Sequence, residues 1–214
     1  MSDPLLSDLP KRTQNIHELR ALLFWLRIAL ARKGDVAECG VRDGSSALHM
    51  ARVMAQCAPD RTIHLFDAWE HYTSTAKEFP GDQHDRKLVD TGRTDGTHWG
   101  QARSSDVSAL FTKEVPALRH EMHPGWFADT LPAFDRPLCF VSVDADLYES
   151  TRDAITMLDR LLVPGGVAVF HDDHKRAWAG VEYAITKHLD GKRYTVVEPR
   201  TVGACQSVGI RKWE

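Results

Sequence analysis

The sequence predicts an α/β fold with a Rossmann-like, mostly parallel sheet, helices on both of its faces and an antiparallel strand near the C-terminus. Three observations support this prediction. Strand-like apolar runs alternate along the chain with segments of helical periodicity. The runs at 62–66 (TIHLF) and 138–143 (LCFVSV) are almost continuously apolar, as parallel strands covered on both faces are. Each of these runs ends directly before an aspartate, Asp67 or Asp144.

The first predicted helix follows an N-terminal leader that contains prolines. Asn15 can cap this helix, with Glu18 three residues later, and Gly34 ends the segment. Its apolar face is marked by Ile16, Leu19, Leu23, Leu26 and Leu30. Because 214 residues suit one domain with a sizeable core, we expect a leader and helix at 1–34 and a single domain at 35–214.

A βα unit follows the first helix. The strand that begins at 35–41 breaks into a turn containing Gly40 and Gly44, and a helix is predicted at 46–54 before the strand at 62–66. Ligands on parallel sheets bind outside the carboxyl ends of the strands. The polar residues that end these strands therefore mark a candidate site.

The second half of the chain repeats the alternation. Ser150 can cap a helix that ends at the segment 164–166 (PGG), and a strand at 167–170 starts at once and runs into 171–174 (HDDH). A further helix is predicted around Val181, and the tail predicts two closing strands, YTVV and SVGIRKW. The stretch at 71–102 lacks periodicity and is rich in Gly, Asp, His and Thr, which predicts a surface loop or lid beside the site.

Charge and hydropathy exclude some partners. The net charge is −3, and there is no Lys/Arg run longer than two residues, so we expect no nucleic-acid partner. The longest apolar stretch, 21–31, is interrupted by Arg27 and is shorter than the ~20 residues that a bilayer requires. The N-terminus lacks the pattern of a signal peptide. We therefore expect a cytoplasmic protein without membrane contact. A homo-oligomer is expected separately from these observations.

The four cysteines show no C-x-x-C pairing. At least two of them lie inside apolar, strand-like runs. Buried free thiols are therefore expected, rather than disulfides or a zinc site, at Cys39, Cys57, Cys139 and Cys205.

The glycine turn at 38–44 has the pattern E-x-G-x-x-x-G. A pyrophosphate binds to bare amides without neighbouring carboxylates, yet Glu38 and Asp43 flank this turn. S-adenosylmethionine suits the environment better, because it carries ammonium and sulfonium charges and no phosphate. Asp67 can then accept hydrogen bonds from both ribose hydroxyls. A purely structural turn and a nicotinamide cofactor remain the alternatives.

Aspartates gather at the ends of two neighbouring predicted strands, as Asp144, Asp146, Asp172 and Asp173. On an extended chain, Asp144 and Asp146 would point the same way. Converging carboxylates resist ionisation unless a cation lies between them, and oxygen ligands favour Mg²⁺, or Ca²⁺ or Mn²⁺. A softer metal bound by His171 and His174, or plain solvated caps at the strand ends, are the alternatives.

Four segments together resemble a known family, the macrocin-type O-methyltransferases (the TylF, MycF and NovP class), which methylate deoxysugars of macrolide and aminocoumarin antibiotics. The segments are 37–41 with Gly44 and Ser46, 125–127 (GWF) with 129–132 (DTLP), 143–151 (VDADLYEST) and 164–173. The third is the most specific. In order along the chain, the resemblance covers about residues 36 to 190.

The resemblance implies a class I methyltransferase domain at 35–214 that holds S-adenosylmethionine and a divalent metal such as Mg²⁺. The cofactor-binding residues implied are Glu38, Gly40, Gly44, Ser46 and Asp67, with Trp126 and Phe127 near the adenine. The implied metal ligands are Asp144, Asp172 and Asp173, and Asp146 is the implied general base.

The expected reaction is methylation of a small natural-product acceptor at a hydroxyl, one of a neighbouring pair as in a sugar or a catechol, activated by the metal. Two other classes of function are kept as alternatives. A metal-dependent hydrolase would use the residues at 171–174 (HDDH). A non-catalytic Rossmann-type module would bind a ligand without turnover.

Overall fold

The computed structural model describes residues 16–69, 102–171, 179–191, 193–197 and 208–213. The helices in these ranges are α1 (Ile16–Ala29), α2 (Ser45–Cys57), α3 (Ser104–Glu114), α4 (Phe127–Ala133), α5 (Tyr148–Leu161) and α6 (Ala179–His188). The strands are β1 (Asp35–Cys39), β2 (Thr62–Asp67), β3 (Arg119–Pro124), β4 (Leu138–Val143), β5 (Leu162–Phe170), β6 (Tyr194–Val196) and β7 (Val208–Lys212).

The described strands form one sheet in the order β3-β2-β1-β4-β5-β7-β6. The pairs from β3 through β5 are parallel, whereas β7 runs antiparallel to both β5 and β6. The predicted mostly parallel sheet with a C-terminal antiparallel strand is therefore confirmed. The strand order reverses between β1 and β4, and the crevice at such a reversal is where ligands bind to open α/β sheets.

Each face of the sheet is covered by helices. On one face, α1, α2 and α3 pack over side chains such as Val36 and Phe140. On the other face, α4 and α5 pack over Ala37 and Val141, the next residues along the same strands. Since successive side chains of a strand point to opposite faces, two separate apolar cores result.

The first helix carries the apolar face that its spacing predicts. Leu19, Leu23 and Leu26 are buried, and Leu22 joins them in the core that α1 shares with α2. The leader at 1–15 lies outside the described residues.

Three elements between residues 103 and 137 were not predicted. The strand β3 (RHEMHP) alternates between exposed and half-buried residues because it is the edge strand, so it lacks an apolar run. The helix α4 is short and contains Pro132, a residue that ordinarily argues against a helix. The helix α3 buries only Val107 and Phe111 among its residues.

The strand β5 begins five residues earlier than predicted, at Leu162 instead of Val167. Leu138 pairs with Leu162, and Phe140 pairs with Val167, so the segment 164–166 (PGG) forms an irregularity within the strand. Gly165 adopts a φ of 77° there. The helix α5 does end before this segment, at Leu161.

The cysteine prediction is partly wrong. Cys39 and Cys139 are buried free thiols, but Cys57 is exposed because it is the last residue of α2. Cys205 and residues 71–101 of the predicted lid lie outside the described residues. Within the described ranges, we find no helix with the length and apolar character needed to cross a bilayer.

Candidate functional site

The loop that joins β1 to α2 is held against the end of β2. The N–H of Gly40 donates to the carbonyl of Phe66 at 2.8 Å. One carboxylate oxygen of Asp67 accepts hydrogen bonds from the N–H groups of Val41 at 2.9 Å and Arg42 at 2.8 Å. The loop therefore presents a fixed backbone at the carboxyl ends of the two strands.

Backbone conformations in this loop explain its glycines. Gly40 has a φ of 93° and Gly44 a φ of 79°, in the left-handed region that L side chains rarely adopt. Arg42 also has a positive φ, 52°, and lies between them. The two hydrogen bonds that Asp67 accepts from the loop hold this conformation.

Asp67 has a structural role that sequence reasoning missed. Its second carboxylate oxygen accepts from the N–H of Trp69 at 2.8 Å, and the Trp69 indole N–H donates to the carbonyl of Arg42 at 2.9 Å. An ionised carboxylate offers about four acceptor positions, and the backbone N–H groups of Val41, Arg42 and Trp69 use three of them. Asp67 therefore retains limited capacity for the ribose hydroxyls expected there.

Glu38 lies beneath the loop, fully buried, and neither of its carboxyl oxygens has a hydrogen-bond partner among the described residues. Burial raises the pKa of this carboxyl well above its ordinary value, with a smaller contribution from Asp144. The hydroxyls of Ser46 and Ser142 oppose the rise, yet neither achieves hydrogen-bond geometry with Glu38. Ser142, which pairs in register with Glu38, was not singled out by the sequence reasoning.

The end of β4 directly adjoins this loop. The N–H of Asp144 donates to the carbonyl of Cys39 at 2.8 Å. A Cβ on Gly40 would overlap the carbonyl group of Asp144, whose carbon would lie 2.7 Å away. The glycine turn and Asp144 are therefore adjacent at this edge of the sheet.

The chain beyond Asp144 is not extended, contrary to the expectation that Asp144 and Asp146 share a direction on an extended segment. Asp146 adopts a φ of 60°, and the N–H of Leu147 donates to the carbonyl of Ala145 at 2.6 Å, which closes a tight turn. Both aspartates are half-buried. Their relative direction is thus determined by this turn and not by strand alternation.

The remaining predicted metal ligands follow the end of β5. Asp172 and Asp173 lie outside the described residues, as does His174. His171, the residue before them, is buried and donates its backbone N–H to the carbonyl of Val143 at 2.8 Å. The β5 end that leads to these residues is therefore adjacent to the β4 end that carries Asp144.

The two aromatic residues expected near adenine follow β3. The N–H of Gly125 donates to the backbone carbonyl of Asp67 at 3.0 Å, which places this segment beside the end of β2. Trp126 is half-buried and precedes α4, whereas Phe127 is buried in the core of that face. Of the two rings, only Trp126 is partly open to a ligand.

Comparison with known proteins identifies relatives over most of the chain. The family model for macrocin O-methyltransferase (TylF) matches residues 16–197. A Streptomyces olivaceus protein, 8-demethyl-8-(2,3-dimethoxy-alpha-L-rhamnosyl)-tetracenomycin-C 4'-O-methyltransferase, is 31% identical over 142 residues, which is 65% of this chain. The chain spans about half the length of the curated relatives it matches, 52% of this one.

Two solved structures share the fold. The O-methyltransferase NovP matches with a TM-score of 0.76 at 22% identity, over 94% of this chain and 81% of that one. The O-methyltransferase TomG from Streptomyces achromogenes, solved in complex with SAM, matches with a TM-score of 0.64 at 20% identity, over 100% of this chain and 92% of that one.

Proposed function

The chain belongs to the macrocin O-methyltransferase (TylF) family, and from that premise we propose that it transfers a methyl group from S-adenosylmethionine to a hydroxyl of a small natural-product acceptor. The observation that carries the proposal is the buried Glu38 carboxyl, which lacks a hydrogen-bond partner among the described residues beneath the glycine turn. Burying a carboxyl without a partner is costly, and a cationic ligand above it offsets that cost. S-adenosylmethionine is such a ligand.

The residues around the turn fit this cofactor. When bound, S-adenosylmethionine supplies an electrophilic methyl group on a sulfonium. We assign the ribose to the free acceptor capacity of Asp67 and the adenine to the half-buried Trp126, with Phe127 supporting it from the core. Gly40, Gly44 and Ser46 shape the loop, and the buried Glu38 carboxyl below can ionise beside the positive charges of the cofactor.

A divalent metal belongs to the same proposal. Asp144, Asp172 and Asp173 would hold Mg²⁺, which lowers the pKa of a coordinated hydroxyl. Asp146 would accept the proton of the acceptor hydroxyl as the hydroxyl oxygen displaces S-adenosylhomocysteine from the methyl carbon, a role worth typically ~10²–10⁴-fold in rate. The acceptor class is a pair of neighbouring hydroxyls, sugar-like or catechol-like, and the rhamnosyl acceptor named for the Streptomyces olivaceus relative supports the sugar.

Binding is tested first, by calorimetry of the full chain with S-adenosylmethionine, S-adenosylhomocysteine and NAD. The first two are expected to bind and NAD is not. Binding of NAD alone would contradict the cofactor assignment.

Turnover is tested with rhamnosides and catechols as acceptors, by mass spectrometry of the methylated product. EDTA should abolish transfer and Mg²⁺ should restore it. Full activity of the metal-free protein would remove the metal from the proposal, and restoration by Zn²⁺ alone would bring in His171 and His174. Cofactor binding without turnover on any acceptor would favour the binding module, and hydrolysis of a test ester or phosphate ester would favour the hydrolase.

The domain at 35–214, the cytoplasmic location and the homo-oligomer stay predictions. Size-exclusion chromatography with light scattering of the full chain measures the last of these. A monomer at micromolar concentration would contradict it.

A further inference from the structure

Two histidines and a glutamate form a cluster on β2 and β3, and none of the three is assigned to the cofactor. Nδ1 of His64 lies 3.2 Å from Nε2 of His123 and 3.4 Å from Oε2 of Glu121. All three ligand atoms lie within 4.8 Å of one another. His64 lies three residues before Asp67, or ~10 Å along the strand, whereas His123 lies nearer the carboxyl edge, in register with Phe66.

Strand register explains why these residues meet. His64 pairs directly with Glu121, and Phe66 pairs with His123. Because side chains alternate along a strand, Glu121 and His123 project from β3 to the same face as His64. Phe66 stacks on the His123 ring with centroids 4.3 Å apart, and Phe134 packs edge-on against His64. The rings are therefore held in place by packing on this face.

Two of the three separations match those of ligands around one tetrahedral metal. Two ligand atoms, each about 2.0–2.1 Å from Zn²⁺ and at tetrahedral angles, stand about 3.3 Å apart. The two separations from His64 Nδ1, 3.2 and 3.4 Å, bracket that value. A hydrogen bond between the two imidazoles explains only the first of them.

A second carboxylate orients the buried histidine. Nε2 of His64 lies 3.2 Å from Oδ2 of Asp35, at the start of β1, while the other oxygen of Asp35 accepts from the N–H of Thr62 at 3.1 Å. A proton on Nε2 leaves Nδ1 with a free lone pair toward Glu121 and His123. Metal-binding histidines characteristically make such a hydrogen bond to a carboxylate through their other nitrogen.

Burial favours the neutral form of both imidazoles. His64 is fully buried, and burial lowers its pKa, against the opposing effect of Asp35. Burial also lowers the pKa of His123, with the charge of His64 adding to the effect. Only a neutral imidazole nitrogen has a lone pair available for a metal.

We propose that His64 Nδ1, His123 Nε2 and Glu121 Oε2 bind a Zn²⁺-class divalent metal, with a water as the fourth ligand and Asp35 as the supporting carboxylate. The donor set of two imidazoles and one carboxylate suits Zn²⁺ and not Mg²⁺, which prefers oxygen. This ion would join the edge strand β3 to β2. The site is additional to the aspartates assigned to methyl transfer.

The test is a calorimetric titration of Zn²⁺ into the full chain after chelator treatment, in an Asp144→Asn background that weakens the aspartate site. His123→Gln and Glu121→Gln are the test variants. His120→Gln is the matched control, because His120 lies on the same strand but contacts Ser108 and Phe111 on the other face. Each test variant should weaken Zn²⁺ binding by at least ~10-fold, and Asp35→Asn by ~10–100-fold, whereas the control should match the parent.

Co²⁺ provides an independent reading of the ligand geometry. In the parent it should give the intense visible bands of a tetrahedral site with nitrogen ligands, and His123→Gln should lose them. Circular dichroism checks that each variant folds. If His123→Gln does not fold, the Zn²⁺ affinity of Glu121→Gln tests the proposal, because 53% of the Glu121 side chain is exposed and its substitution should not unfold the protein. Equal Zn²⁺ affinity in the parent and the folded test variants, or only weak octahedral Co²⁺ bands, would overturn the proposal and leave a hydrogen-bonded histidine pair.

Discussion

The carbonyl group of Asp144 occupies the space in which a Cβ atom on Gly40 would lie, since its carbon would be 2.7 Å from that atom. The loop after β1 and the end of β4 are also joined by the hydrogen bond from Asp144 N–H to the Cys39 carbonyl. The residue proposed to shape the cofactor loop and the residue proposed to bind the metal are therefore in backbone contact. A shift of either one displaces the other.

Gly40→Ala should lower both stability and cofactor affinity. The added Cβ meets backbone that cannot move independently, and the φ of 93° costs an L residue ~1–3 kcal/mol in strain. For a chain of this size, each 1 kcal/mol lowers Tm by about 2–4 °C. Calorimetry with S-adenosylhomocysteine measures the affinity.

Gly191→Ala is the control for this substitution, because a Cβ there would meet no atom within 4 Å. It should leave Tm and affinity close to those of the parent. Equal behaviour of the two alanine variants would show that the Gly40 contact does not constrain the loop.

The four predicted central strands, β1, β2, β4 and β5, share one physical property, burial on both faces. Strands such as β4, which is buried throughout, have a continuous apolar run that is visible in the sequence. The edge strand β3 pairs with one neighbour only, and its residues are exposed or half-buried. Its sequence, RHEMHP, therefore has no continuous apolar run. The irregularity in β5 depends on its pairing with Leu138, which no local pattern encodes.

The same limit applies to the site. Asp67 and Asp144 end apolar runs, so their place at the sheet edge could be predicted. The hydrogen bonds of Asp67 to the loop and the left-handed φ of Asp146 depend on tertiary contacts and on a local turn. His64 and His123 are 59 residues apart in sequence, and only strand register brings them together.

Asp67→Asn should weaken S-adenosylmethionine binding by about 1.5–3 kcal/mol, which is roughly 10- to 150-fold, the range for hydrogen bonds to a charged group. The variant loses acceptor capacity for the ribose and part of its hold on the N–H groups of Val41 and Arg42. Isothermal calorimetry measures the affinity.

Asp43→Asn is the matched control, because Asp43 belongs to the same turn, is exposed and, among the described residues, accepts hydrogen bonds from Ser45 alone. Its affinity should stay within a factor of a few of the parent. If both variants bound the cofactor as well as the parent does, Asp67 would have no role in binding.

Glu38→Gln should raise the stability of the ligand-free protein while lowering its affinity for S-adenosylmethionine. Burial raises the pKa of Glu38 above its ordinary value of 4.5, so the folded state holds the proton more tightly than the unfolded state. The stability from this carboxyl is present below pH 4.5 and is lost as pH rises toward the folded-state pKa. Glutamine stays neutral and avoids that loss.

The Tm advantage of Glu38→Gln should therefore grow between pH 5 and pH 8, by ~2–4 °C for each 1 kcal/mol. Glu114→Gln removes a partly exposed carboxylate that pairs with Arg52 at 2.9 Å, and should lower stability by no more than ~1 kcal/mol at any pH. A Glu38→Gln variant that is less stable than the parent across this pH range would show that the carboxylate is satisfied in the folded protein.

Asp146→Asn separates the proposed general base from the proposed metal ligand Asp144. Asp146 has a φ of 60°, and asparagine is among the few residues that tolerate this conformation, so the substitution removes the charge without straining the turn. We expect the methyl transfer rate to fall by at least ~10²-fold while cofactor and Mg²⁺ affinity stay close to those of the parent. Asp144→Asn should lower both the methyl transfer rate and the Mg²⁺ affinity, because it removes a metal ligand. Single-turnover kinetics at saturating Mg²⁺, together with Mg²⁺ titration, distinguish the two effects. Should Asp146→Asn weaken Mg²⁺ binding as much as Asp144→Asn does, Asp146 is a ligand, and the base lies elsewhere, with His171 the next residue to test.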